Sequence, residues 1–103
     1  LVWSNTEKYC GKICIYEKTG NKSSLFFHKQ REKSIFVNAG EFVLRYIDTE
    51  NAKMQEIKLS EGDVWQVGMH VPHQLECRST NGSITEVGTP DDFNDVCLLS
   101  AED

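Results

Sequence analysis

No stretch of the 103-residue chain approaches the roughly 20 consecutive apolar residues that a membrane-spanning helix needs. Basic residues are scarce: 11 Lys plus Arg stand against 16 Asp plus Glu, a formal net charge of −5. Nucleic acid and anionic membranes both call for a basic face, so neither partner is expected. No CxxC pair occurs among Cys10, Cys14, Cys77 and Cys97, which removes a zinc ribbon. The four thiols are expected reduced, as small buried apolar groups, which points to a cytoplasmic setting. There is no Gly-x-Ser-x-Gly turn and no phosphate-binding Gly-rich loop, so a hydrolase elbow and a nucleotide cradle both drop out. No segment of 11 or more residues carries a helical apolar stripe. The nearest approach is Phe93, Val96 and Cys97, in a short stretch read as loop or strand.

What remains is ordinary globular composition, 39% hydrophobic and 26% charged. The length suits a single domain over 1–103, with one core. Short runs rich in β-branched and aromatic residues alternate with Gly, Asn and Asp. Strands are expected over Lys12–Lys18, Ser24–Gln30, Ile35–Asn38, Glu41–Asp48, Met54–Leu59, Val64–Val67, His73–Ser79, Ser83–Val87 and Val96–Leu99. Arg31–Glu32–Lys33 reads as a charged tip between two of them, and Asp91, Asp92 and Asp95 as a solvated acidic surface. Repeated short strands at spacings of roughly 8–12 residues describe an all-β sandwich or barrel.

Two segments carry a more specific signal. Ser24–Gly40 reads SLFFHKQREKSIFVNAG, and Gly62–His73 reads GDVWQVGMHVPH. Together they resemble the two motifs of the cupin superfamily, whose fold is a double-stranded β-helix, or jelly-roll barrel. The segment Glu86–Pro90, EVGTP, resembles the end of cupin domains in the phosphomannose isomerase and sugar-nucleotide branch. On this resemblance His28 and His73 fall on metal-ligand positions. Phe26 falls where the first motif has its other His, and Lys33 falls on the Glu position, with Glu32 one residue earlier. The resemblance therefore implies a degenerate site for a divalent metal (Zn, Mn, Fe or Ni). Two imidazoles are fewer than the three or more protein ligands such a site usually has, and an inward Lys33 would oppose a cation.

Strand alternation extends the reading. If His28 faces the barrel, so do Ser24, Phe26 and Gln30. The cupin pattern turns Phe42, Leu44, Tyr46, Trp65, Val67, Leu75 and Cys77 inward as well. The implied site is an apolar cup with a few polar groups. Gln30 is a neutral oxygen donor. Lys33 is either a point charge for an acidic ligand or a solvated tip. Trp65 is a stacking platform or a core aromatic, beside Tyr46. His70, in the second-motif loop, is a rim acid–base group or a solvent-facing histidine. Two functions follow: a small isomerase-like cupin holding a sugar or sugar phosphate inside the barrel, or a non-catalytic ligand-binding or regulatory module without metal. The resemblance also implies a homodimer.

Overall fold

The computed structural model describes residues 2–23, 25–91 and 95–98, the last three by backbone alone. Ser24, Asp92 and the side chain of Cys97 lie outside the described residues. Ten strands follow in order: β1 (Val2–Asn5), β2 (Cys10–Tyr16), β3 (Phe26–His28), β4 (Lys33–Ala39), β5 (Phe42–Asp48), β6 (Lys53–Leu59), β7 (Val64–Val67), β8 (His73–Cys77), β9 (Gly82–Gly88) and β10 (Val96–Leu98). They form two five-stranded antiparallel sheets, ordered β1-β2-β9-β4-β7 and β10-β3-β8-β5-β6. No helix among the described residues is long and apolar enough to cross a membrane.

Alternation explains which residues fill the space between the sheets. On β4, Lys33, Ile35 and Val37 are buried while Phe36 is exposed. On β8, His73, Leu75 and Cys77 are buried, and on β9, Gly82, Ile84 and Glu86. Ile35, Val37, Phe42, Leu44, Leu59, Val67, Leu75, Cys77 and Ile84 make one core. Fully burying a large apolar side chain contributes about 1.5–3 kcal/mol, so this cluster is the main stabilising term. Cys10, Cys14 and Cys77 are free thiols.

Three sequence expectations change. β1 is not among the expected strands, yet it pairs with β2. β3 and β4 do not flank a shared tip: they lie in different sheets, and residues 29–32 carry the chain across. Arg31 and Lys33 are consequently buried rather than solvated. Asp95 is buried too, held by backbone donors, so that part of the acidic tail is not a solvated surface.

Two glycines make close approaches possible. Gly40 has φ +91°, and a Cβ there would sit 2.7 Å from Ser79 Oγ and 2.9 Å from Gly82 Cα. Gly88 pairs with both Cys10 and Lys33. A Cβ on Gly88 would collide with the Glu32 carbonyl and lie 2.8 Å from Lys33 Cα. The barrel closes around Lys33 only because Gly88 has no side chain.

Candidate functional site

β3 and β8 meet at Phe26 and His73, their one register pair. The Phe26 ring lies 4.6 Å from the His73 ring and 5.2 Å, edge-on, from the His28 ring, centroid to centroid. The Lys33 ammonium stands 5.0 Å over the same Phe26 ring, a cation–π contact. Lys33 Nζ is also 3.3 Å from Glu86 Oε1, which Arg31 Nη1 approaches at 3.4 Å. Arg31 Nε donates to Thr89 O at 3.2 Å, and Cys14 Sγ lies 4.0 Å from Glu86 Oε2. The barrel interior therefore holds two imidazoles, one phenyl ring, two cations and one carboxylate in contact.

Burial and the two cations decide the protonation states. Burial first, then the charge of Lys33, lowers His73 to about 3. The same causes, with Arg31 added, lower His28 to about 4. Both imidazoles are neutral at pH 7. His73 Nδ1 is 3.0 Å from Val71 O. A carbonyl only accepts, so Nδ1 carries the proton and Nε2 presents a lone pair. That Nε2 makes no hydrogen bond, nor do either ring nitrogen of His28 or Arg31 Nη2. His28 Nδ1 is 3.8 Å from Asp95 Oδ2, whose carboxylate instead accepts from the Lys29 and Gln30 amides at 2.9–3.1 Å. Burial raises Glu86, but Lys33, Lys12 and Arg31 outweigh it and hold the carboxyl below its ordinary value.

The cavity beside Lys33, His73 and Glu86 measures about 30 Å³. One water needs at least about 10–15 Å³ of such space, so a sugar ring has no room there. Larger grooves, of about 550, 430 and 350 Å³, lie outside. A groove of about 350 Å³ opens at the barrel mouth, where Tyr46 and Trp65 are half-buried with rings 5.0 Å apart at 43°. Asp48, Glu50, Gln66 and Val71 complete its walls.

The structure thus divides the candidate residues into three groups. His28, His73 and Lys33 share the interior. Tyr46 and Trp65 share the mouth. Gln30 and His70 belong to neither. Gln30 is exposed because β3 ends at His28, and alternation ends with it. His70 is exposed in the left-handed region, φ +64°, and its amide, not its ring, contacts the interior strand by donating to His28 O at 2.7 Å. Arg31, Glu86 and Asp95 escaped the sequence reading. Glu86 alone had a signal, its even spacing from Ile84 on a strand.

No protein-family model matches the sequence, and none of the curated proteins matches it. Solved structures do. The chain superposes on oxalate decarboxylase from Bacillus subtilis with a TM-score of 0.80 at 18% identity, over 90% of this chain and 24% of that one. The Lactobacillus farciminis oxalate decarboxylase formate complex gives 0.77 at 23% identity, over 91% and 28%. KdgF from Halomonas sp. gives 0.77 at 14% identity, over 91% and 81%. The fold is the cupin barrel. This chain spans about a quarter of the length of the decarboxylases it matches.

Among those cupins the Bacillus subtilis enzyme has Mn(II) centres. The residues of this barrel do not fit such an ion. Among the described residues no three His, Cys, Asp or Glu side chains come together in a way that could hold a metal. Lys33 brings an ammonium into the same interior, Glu86 is already engaged by two cations, and Asp95, beside His28, accepts from the Lys29 and Gln30 amides.

Proposed function

We propose that this chain is a metal-independent, non-catalytic cupin module that binds a small hydroxylated ligand, such as a sugar, in the groove at the barrel mouth. The observation that carries this reading is the Tyr46–Trp65 pair lining a groove of about 350 Å³, above an interior with room for little more than water. Two tilted aromatic faces offer a sugar ring an apolar platform, and Gln66 and Asp48 offer hydrogen bonds at its edge. Asp48 and Glu50 line the groove and no Lys or Arg does, although Lys53 lies opposite Asp48 in the strand register. That charge favours a neutral sugar over a sugar phosphate. An isomerase-like reaction needs a group to polarise a carbonyl and a base to move a proton. His28 and His73 are the nearest candidates, and both are shut inside the barrel.

The reading is tested by titrating ¹⁵N-labelled protein with a panel of neutral monosaccharides and their phosphates. Amide shifts are expected at residues 46–50 and 65–71, for neutral sugars. Trp65→Ala is expected to weaken binding at least about tenfold, or roughly 1.4 kcal/mol. Shifts centred on His28 and His73, or silence across the whole panel, would overturn it.

A further inference from the structure

We infer that Lys33 is the resident cation of this barrel: its ammonium shares the interior with Phe26, His73 and Glu86 and opposes the entry of a divalent metal. The inference deepens the metal-independent reading above. It does not depend on what the mouth groove binds.

Three observations converge. The first is position. Lys33 opens β4 with its side chain turned inward and almost fully buried, and its Nζ lies over the ring that both imidazoles pack against. The missing Cβ of Gly88 admits it, so the placement is built into the pairing of β4 with β9. The second is charge. Lys33 and Arg31 share the Glu86 carboxylate; burial lowers the pKa of Lys33, and the charge of Glu86 opposes that and favours the ammonium. Asp95, beside His28, has its oxygens turned to the amides of Lys29 and Gln30. An entering dication would meet the charges of Lys33 and Arg31 in a desolvated space, where repulsion between like charges is strongest. The third is the state of the imidazoles. His28 Nδ1 and Nε2 and His73 Nε2 are buried without hydrogen-bond partners. Nitrogen atoms able to bind metal are therefore present and unoccupied by other bonds. The lysine adds a repulsive charge to a set already one donor short, Phe26 standing at the other histidine position of the first motif.

One substitution should reverse the behaviour. Lys33→Glu exchanges the ammonium for a carboxylate beside His28, His73 and Glu86, giving the mixed nitrogen and oxygen donors that transition metals accept. Lys33→Met removes the charge and adds no ligand. By calorimetric titration with Co²⁺ and Zn²⁺, Lys33→Glu is expected to bind at least about a hundredfold more tightly than the unaltered chain, and Lys33→Met about tenfold. Adding His73→Ala to either variant should abolish the gain.

Because a charge change in the core can prevent folding, the unaltered protein supplies an independent arm. Long-range ¹H–¹⁵N spectra follow the ring nitrogens of all three histidines as Zn²⁺ is added. His70, on the surface, is expected to shift weakly, while His28 and His73 stay fixed. Movement of His28 and His73 at one equivalent of Zn²⁺ would overturn the inference. So would folded Lys33 variants that bind no more tightly than the unaltered chain. Sugar titration of the mouth reports on residues 46–50 and 65–71, so failure there leaves this result standing, and the reverse also holds.

Discussion

Glu86 lies opposite Ile35 in the β4–β9 register and meets Lys33 and Arg31 on the inward face of the same sheet. Removing one partner from a buried ion cluster is costly because the remaining charges lose their compensation while still desolvated. Glu86→Gln keeps the shape and strands two cations. Urea unfolding is expected to show a loss of about 3–5 kcal/mol. A double variant with Lys33→Met should recover part of that loss, since one stranded cation then goes as well. A loss under about 1 kcal/mol for Glu86→Gln would mean that water reaches the cluster. At this scale the sequence was informative wherever chemistry was local. His28 and His73 were legible from motif spacing, and the spacing from Gly40 placed Lys33. Glu86 and Arg31 were not, because their partnership is made by pairing residues more than 50 positions apart. Gln30 misled because alternation was carried two residues past the end of its strand.

At the scale of elements, β3 is short, and the chain before it is tied to β8 by the Lys22–Glu76 bridge and the Ser23 amide on Leu75 O. β3 itself meets β8 at one register pair and β10 at three. Its C-terminal end is fixed by the Asp95 carboxylate, which accepts from the two amides that follow His28. Hydrogen bonds to a charged acceptor contribute about 1.5–3 kcal/mol each at most. Asp95→Ala is therefore expected to cost about 1–3 kcal/mol. It should also speed exchange of the Lys29 and Gln30 amides at least about tenfold, leaving the amides of β2 and β9 unchanged. Uniform acceleration in both sheets would show that Asp95 supports the whole barrel and not β3 alone. Most strands were legible because turns and β-branched runs are local features. The assignment of β3 and β4 to different sheets was not, because nothing local separates a hairpin from a crossing between sheets. The burial of Asp95 was hidden for the same reason, since its partners are more than 60 residues away.

The whole molecule should be sensitive to acid. His28 and His73 hold their rings neutral down to about 4 and about 3, against an ordinary value of 6.5. Below pH 6.5 the unfolded chain takes up protons that the folded chain refuses, so stability falls with pH. Each imidazole contributes about 1.4 kcal/mol per pH unit across that window. Glu86, lowered by its cations, acts in the same direction below its own ordinary value of 4.5. Urea midpoints are expected to drop steeply between pH 6 and 4, with His73→Leu shallower by about one proton. A flat profile through pH 5 would contradict the neutral, closed interior.

The strand order also bears on how the barrel is assembled. β2 and β4 are joined only through β9, which lies between them. As the chain is synthesised, residues 10–16 and 33–39 emerge well before residues 82–88. Until then β2 has only β1 to pair with, and β4 has only β7, so the first sheet exists as two separate ribbons. Such long-range pairing is slow to form, because the loop must close before its contacts reward it. The strand that joins the ribbons also brings Glu86. Lys33 and Arg31 thus meet their counter-charge in the same step that shuts the sheet, so closing the barrel and neutralising its interior are one event.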